Sequence, residues 1–207
     1  MTDLKMLDCF CGLGGASSGF AKEGFDCTGI DIINVGYPYR FILADMHSLK
    51  GEDYRGYDVI WGSPPCRDFS PLGRLYGMKW KRKPSPQYGL KLVNAFLKFV
   101  EEAQPKFWIM ENVENLKNYL LLKPKIVTKV RHKAHCFWGD FPLGLYPRVI
   151  GNPMGVRQVK NGESYFQSPP NIDRKLQPWI NAKIPLACSQ AFARACKDVL
   201  LEKELTV

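Results

Sequence analysis

Short apolar runs alternate with amphipathic segments along the first half of the chain. The runs predict strands at residues 5–10, 26–30, 41–44, 58–62 and 107–110. A helix is expected after the first run as far as about Gly24, and apolar side chains at helical spacing predict another over 88–103. Short, wholly apolar strands separated by helices are typical of a mostly parallel sheet covered on both faces. The first half therefore predicts a doubly wound α/β fold.

The second half of the chain is less regular. Residues 134–139 and 144–150 predict a hairpin or two edge strands. Residues 151–178 are rich in Gly, Pro, Asn, Gln and Ser, which favours a long loop. A final helix is expected over 186–204, directly after Pro185.

Polar or reactive residues stand where the predicted strands end. They are the glycine turn 12–15, Asp31, Asp45, the segment 64–66 and Glu111. In open parallel sheets ligands bind beyond the carboxyl ends of the strands. We therefore expect these residues to meet at one edge of the sheet.

The glycine turn is not built for a pyrophosphate. A dinucleotide site needs G-x-G-x-x-G, but the sixth position here is Ser17, and no Gly-Lys-Ser/Thr follows for a Walker A loop. Asp31 closes the next strand, where an acid binds a ribose diol. The pattern favours an adenosine-containing cofactor without phosphates, although a glycine-rich loop of another α/β enzyme also fits it.

Charge points to a polyanionic partner such as nucleic acid. The chain has 207 residues, 45% hydrophobic and 24% charged, with a formal net charge of +9. Cations and aromatic residues are interleaved over residues 74–83, and a second basic group spans 123–133. The alternative is that these cations only form a solvent-exposed face and bind no partner. The candidate DNA-binding residues are Arg67, Arg74, Lys79, Lys81, Arg82, Lys83, Lys129 and Lys133.

Neither a membrane span nor a metal site is expected. No apolar run approaches the roughly 20 residues that cross a bilayer, and the first ten residues lack a signal-peptide core. The seven cysteines are odd in number and irregularly spaced, so a cytoplasmic protein is expected. His132, His135 and Cys136 lie close together, but no second ligand pair follows at a zinc spacing.

Three motifs carry a resemblance to a known family. Residues 8–15 (DCFCGLGG) resemble the D-x-F-x-G-x-G-G signature of DNA cytosine-5 methyltransferases. Residues 62–66 (GSPPC) resemble their Pro-Cys catalytic loop and residues 111–113 their Glu-Asn-Val motif, in the same order. The resemblance extends over residues 5–139. Their closing Gly-Asn motif is not evident. Instead, residues 182–189 (AKIPLACS) are similar to the ending of the short methylases encoded by bacteriophages, which are the nearest match for the whole chain.

The resemblance implies a Rossmann-like S-adenosylmethionine-dependent methyltransferase fold, with a reduced or absent target-recognition domain. By position Phe10 faces the adenine, Asp31 the ribose hydroxyls and Asp45 the adenine amino group. The residues expected to bind S-adenosylmethionine are Phe10, Cys11, Gly12, Leu13, Gly14, Gly15, Asp31, Asp45 and Pro64.

The resemblance also implies the chemistry, which is methylation of carbon 5 of cytosine in DNA. The Cys66 thiolate adds to carbon 6 of the ring, and Glu111 protonates ring nitrogen 3. Residues 129–133 are similar to a Q-x-R-x-R segment whose first arginine, here Arg131, lies near the cytosine carbonyl. The alternatives are a buried structural role for Cys66 and phosphate binding for Arg131.

Other functions and the organisation of the chain stay open. A related modification enzyme would use a modified S-adenosylmethionine or a nucleotide acceptor, and a degenerate methylase would only bind DNA. We expect a single catalytic domain over 1–207, with a loop-rich excursion at 140–180. The sequence does not give the oligomeric state, for which a monomer is the default, or the target sequence. The enzyme would act in the cytoplasm, that of the host cell if a phage encodes it, with restriction-modification among its roles.

Overall fold

The computed structural model describes residues 3–70, 83–130, 133–143, 149–150 and 176–204. The strands are β1 (Lys5–Cys9), β2 (Asp26–Asp31), β3 (Arg40–Leu43), β4 (Val59–Gly62), β5 (Phe107–Asn112), β6 (Ile126–Val130), β7 (Lys133–Asp140) and β8 (Val149–Ile150). The helices are α1 (Gly15–Lys22), α2 (Pro86–Ala103), α3 (Gln177–Ala182) and α4 (Leu186–Glu204).

Among these residues the strands form one eight-stranded sheet in the order β3-β2-β1-β4-β5-β7-β6-β8. The first five strands of the chain all run parallel, and β7 runs antiparallel to both β5 and β6. The chain order reverses between β1 and β4, which is where a doubly wound sheet opens a ligand crevice. The predicted Rossmann-like α/β fold is confirmed.

Helices cover both faces of the sheet. On one face α1 and α4 pack with β1 and β4 around an aromatic cluster, in which the Phe192 ring lies 5.3 Å from Trp61 and 4.7 Å from Phe137. On the other face α2 buries Phe96 and Phe99. Each fully buried aromatic side chain stabilises the fold by about 1.5–3 kcal/mol.

The last helix lies directly against the first. A Cβ added to Gly19 would come within 2.3 Å of the backbone nitrogen of Gln190, and one added to Gly15 within 2.5 Å of that of Ile184. These two positions therefore require glycine for the close approach of α4 and the link before it. Ser189 reinforces the contact, because its hydroxyl donates to the carbonyl of Gly15 over 3.0 Å.

The pairing predicted for the second half was wrong. Residues 133–140 do form a strand, but its hairpin partner is the preceding β6, which the sequence pattern did not predict as a strand. β7 is an interior strand between β5 and β6, and β8 joins the edge parallel to β6. The final helix has the predicted bounds.

The predicted excursion at 140–180 falls largely outside the described residues, so the single-domain organisation stays a prediction. Within the described ranges, no helix has both the length and the apolar character that a membrane crossing requires.

Candidate active site

A cavity of about 740 Å³ opens at the carboxyl edge of the parallel strands. Its walls hold the turn after β1, the end of β2, the segment after β3 and the loop after β4. The volume lies within the roughly 300–1,000 Å³ of small-ligand sites. One cavity thus joins four of the strand ends that the sequence singled out.

The glycine turn is fixed to the end of β2 by Asp31. One carboxylate oxygen of Asp31 accepts from the backbone N–H of Gly12 at 3.1 Å, and the other from Ile32 at 2.8 Å. The turn also bends sharply, since Phe10 has a φ of 61° and Gly14 a φ of 70°. A non-glycine residue in this left-handed region is strained, and such strain is typical of functional turns.

A buried carboxyl group links β1, which precedes the turn, to α1, which follows it. Asp8 is 2% exposed and accepts from the hydroxyl of Ser17 at 2.6 Å, while Ser17 also lies 2.6 Å from the Tyr37 hydroxyl. Burial is the main reason that the pKa of Asp8 rises to about 7, and the hydrogen bonds from Ser17 partly oppose this rise. The carboxyl group is therefore half protonated near neutral pH.

Cys66 is the most accessible thiol of the chain, because the other six cysteines are buried. It opens a short 3₁₀ turn, Cys66–Asp68, and its carbonyl accepts from the backbone of Phe69 and Ser70 at 3.0 Å each. Burial raises the pKa of Cys196 to about 12, so this thiol is not a nucleophile at neutral pH. Exposure therefore favours Cys66 over the other thiols as the candidate nucleophile.

Two amide side chains tie the Cys66 loop to the segment after β5. Asn112 donates to the carbonyl of Pro64 over 2.9 Å, and Asn115 donates to that of Phe69 over 3.1 Å. The Asn112 bond is buried, where a hydrogen bond is costly to leave unmade. These two hydrogen bonds hold the loop, on both sides of Cys66, against the segment that begins beside Glu111.

Glu111 makes a close contact with a histidine. Its Oε1 lies 2.8 Å from Nδ1 of His135, and the side chains of His135 and Glu111 are 13% and 14% exposed. In the antiparallel pair of β5 and β7, Glu111 stands opposite Phe137, so His135 is its diagonal neighbour. A long side chain reaches such a neighbour across the strands.

The structure gathers most of the predicted site residues but not all of them. Those that line the cavity are Phe10, Cys11, Gly12, Leu13, Gly15, Asp31, Asp45, Cys66 and Arg67. Gly14, Pro64 and Glu111 lie on neighbouring segments and are not among the residues that line it. Lys83 is exposed ahead of α2, and Lys129 and Lys133 lie on β6 and β7. Arg74, Lys79, Lys81, Arg82 and Arg131 lie outside the described residues.

Sequence reasoning missed a wall of the cavity. Trp179 and Lys183, from α3 and the link to α4, line it, and a Cβ added to Gly12 would lie 3.4 Å from Trp179 Cδ1. Tyr88 and Lys91 of α2 line it as well. Only the aromatic character of Trp179 inside a polar segment could have drawn attention to it.

No group of three or more potential metal ligands forms in the part of the chain that the structure describes. The cavity wall is largely apolar, with Phe10, Leu13, Met46 and Trp179 among its residues. An apolar wall that also carries the carboxylates of Asp31 and Asp45 suits an organic ligand with an aromatic ring and a diol.

The chain is similar to known DNA methyltransferases. The profile of the family described as C-5 cytosine-specific DNA methylase matches residues 4–123. The chain is 33% identical over 195 residues to the type II methyltransferase M.HindV of Haemophilus influenzae, covering 84% of this chain and 58% of that protein. It is 29% identical over 121 residues to M.FnuDI of Fusobacterium nucleatum, covering 55% of this chain and 33% of that protein.

Among solved structures, the methyltransferase EhMeth of Entamoeba histolytica superposes with a TM-score of 0.48 and 12% identity, covering 68% of this chain and 53% of that one. The chain spans less than two thirds of the length of both curated relatives, 58% and 33% respectively. The profile match nevertheless takes in the glycine turn, Cys66 and Glu111. Because it extends over more than half of the sequence, the chain belongs to the C-5 cytosine-specific DNA methylase family.

Proposed function

We propose that the protein transfers a methyl group from S-adenosylmethionine to carbon 5 of cytosine in DNA, through a covalent adduct at Cys66. The observation that carries the proposal is the single cavity that the glycine turn, Asp31 and Cys66 share. A methyl donor held by the turn and a base held at the thiol would meet inside it. Membership of the family supports the same chemistry.

The cavity fits the proposed cofactor. Phe10 and Ile32 provide apolar surface for an adenine ring, and Asp31 provides a carboxylate for the ribose hydroxyls. Each oxygen of Asp31 already accepts one backbone hydrogen bond, and a carboxylate has about four acceptor sites, so acceptor capacity remains for a diol. When bound, S-adenosylmethionine supplies an electrophilic methyl group attached to a sulfonium.

Cys66 makes the ring reactive. Carbon 5 of cytosine is a poor nucleophile, but addition of the thiolate to carbon 6 converts the ring into an enamine. The new bond joins Sγ to carbon 6, the double bond moves to carbons 4 and 5, and ring nitrogen 3 takes up a proton. After methylation, a base takes the proton on carbon 5 as the thiolate leaves carbon 6, and ring nitrogen 3 returns its proton to Glu111. These steps restore the aromatic ring and the free enzyme.

Glu111 supplies the proton for ring nitrogen 3 in this scheme. The strand end that carries it is tied to the Cys66 loop through Asn112 and Pro64, which favours the two groups acting on one base. General acid catalysis of this kind contributes roughly 10²–10⁴-fold to a rate. Arg131, outside the described residues, stays the candidate for the cytosine carbonyl.

DNA is the proposed macromolecular partner. The net charge of +9 favours a polyanion, and Arg67 and Lys91 line the cavity beside Cys66. A base that reaches this thiol must leave the duplex stack, which costs a few kcal/mol unless the base is already unpaired.

The test is mechanism-based trapping. The protein is incubated with S-adenosylmethionine and DNA that contains 5-fluorocytosine, whose fluorine blocks the release step. We expect a cofactor-dependent covalent adduct in the wild type and none in Cys66→Ala. Cys196→Ala is the matched control, since Cys196 is fully buried and its thiol should not contribute to the adduct.

Each other result has a clear meaning. An adduct that persists in Cys66→Ala would contradict the assigned nucleophile. Cofactor binding without an adduct would favour another donor or acceptor, which mass spectrometry of the product would identify. Loss of both cofactor binding and adduct would favour a protein that only binds DNA.

A further inference from the structure

The contact between Glu111 and His135 assigns a role to a residue that none of the three motifs includes. We propose that His135 is a positioning residue for the proposed reaction, whose Nδ1–H holds one oxygen of Glu111 so that the other oxygen serves the target base. This inference rests on the proposed function and specifies how its acid is oriented.

The geometry supports a directed hydrogen bond. Oε1 of Glu111 lies 2.8 Å from Nδ1 of His135, a typical length for a bond between a ring nitrogen and a carboxyl oxygen. Within the described ranges His135 is the one hydrogen-bond partner of the Glu111 side chain, and Oε2 has none. One oxygen is therefore fixed, and among the described residues the other keeps its capacity to bond a ligand.

The surroundings of the pair restrict its motion. Both side chains are largely buried, at 13% and 14% exposure. His135 stands opposite Thr128 in β6, on the interior strand β7, and Thr128 is 4% exposed. A side chain on an interior strand between two paired neighbours keeps its direction better than one on a loop. The imidazole is therefore held where it meets Glu111.

The chemistry of addition requires such a partner. When Glu111 gives its proton to ring nitrogen 3, it becomes a carboxylate in a largely buried position, where an unpaired charge is costly. An imidazole that donates through Nδ1 strengthens its hydrogen bond as that charge develops. The bond is stronger after proton transfer than before it, so it lowers the barrier to addition.

The position of the donor makes the role testable by substitution. In Asn, the side-chain nitrogen takes a place close to that of Nδ1, whereas in Gln it lies nearer the place of Nε2. His135→Asn should therefore keep a donor for Oε1, and His135→Gln should lose it while leaving a polar side chain of similar size. The pair of variants separates the directed bond from simple occupancy of the site.

The experiment measures the single-turnover rate of adduct formation on 5-fluorocytosine DNA, together with the Kd for S-adenosylhomocysteine and the Tm. We expect His135→Gln to slow addition by about 10- to 100-fold, and His135→Asn to stay within about threefold of wild type. The Kd should not change in either variant. The control is Asp140→Asn, which should keep the wild-type rate. Asp140 is an exposed residue of β7, the strand that carries His135, and its ion pair is with Lys125.

A double variant distinguishes positioning from a structural role. In Glu111→Gln, a further His135→Gln change should slow addition by less than about threefold, because both act through one group. Three results would overturn the positioning role. The first is a double variant whose rate loss equals the product of the two single-variant losses. The others are equal rates for His135→Asn and His135→Gln, and a wild-type rate in His135→Gln. A wild-type protein that forms no adduct would instead overturn the proposed function, and this inference with it.

Discussion

At the scale of single residues, Asp8 links the site to the stability of the fold. Burial raises its pKa to about 7 from an ordinary value of 3.8, so the folded protein keeps a proton that the unfolded chain has already lost. Between these two pH values the folded state binds more protons than the unfolded state. The contribution of Asp8 to stability is therefore full below pH of about 4 and is lost as the pH rises through about 7.

Asp8→Asn tests this pH dependence. The amide oxygen of Asn still accepts from Ser17, but the side chain no longer titrates in this range. We expect the free energy of unfolding of the variant to gain on that of the wild type as the pH rises from 5 to 8, measured by urea unfolding. Asp3→Asn, which alters an exposed carboxyl group, is the control. Curves for the wild type and Asp8→Asn that stay parallel would show that Asp8 does not titrate in this range.

At the scale of elements, α3 and its link to α4 form the wall of the cavity that faces the glycine turn. Trp179 lies close to Gly12, and its ring supplies apolar surface that no other described residue of α3 matches in size. Covering roughly 60 Å² of apolar ligand surface is worth about 1.5 kcal/mol at about 25 cal/mol per Å², which is more than tenfold in affinity.

Trp179→Ala should therefore weaken binding of S-adenosylhomocysteine about tenfold, measured by calorimetry. Trp179→Phe keeps a ring at this position and should stay within about threefold of the wild type. Tyr119→Ala, which changes an exposed aromatic residue away from the cavity, should bind like the wild type. Unchanged affinity in Trp179→Ala would exclude α3 from the binding site.

The parallel half of the fold was predictable because its strands are short, largely apolar runs that end at, or shortly before, glycine, proline or acidic residues. β4 is an example. It ends at Gly62, and the two prolines that follow lack the N–H that further strand pairing needs. β6 was missed because Lys129 and the neighbouring cations read as a basic segment rather than a strand. β8 has two residues, too few for any periodicity.

The site was predictable where residues follow parallel strands, because topology alone brings such ends to one edge. Asp31 and Cys66 met in one cavity for this reason. Trp179 and His135 could not be found this way. Trp179 depends on how α3 packs on the glycine turn, and His135 on the register between antiparallel β5 and β7. Neither relation leaves a local pattern in the sequence.

At the scale of the whole molecule, the net positive charge and the cations that line the cavity both bear on the proposed binding of DNA. With DNA as the proposed partner, the net charge of +9 predicts an affinity that falls steeply with salt, since each cation that neutralises a phosphate releases a counterion. Lys91 lines the cavity, whereas Lys98 of the same helix lies 3.5 Å from Glu102 in an ion pair. The two lysines form a matched pair for mutation.

Lys91→Ala should reduce the slope of log affinity against log salt by about 1, and Lys98→Ala should leave it unchanged. Fluorescence anisotropy of labelled DNA over a series of salt concentrations measures both slopes. Equal slopes for the two variants would mean that Lys91 makes no phosphate contact that Lys98 does not also make.

The packing of α1 against α4 also orders events during synthesis. The aromatic cluster that takes in Phe20 and Trp61 lacks Phe192 until this residue of α4 has left the ribosome. Until then the nascent chain carries Cys66 and the glycine turn without the wall that Trp179 provides. A translating ribosome would thus expose the thiol before the donor has a closed place to bind. Under the proposed function, termination before Trp179 would leave a fragment that carries Cys66 but lacks a complete cavity for the methyl donor.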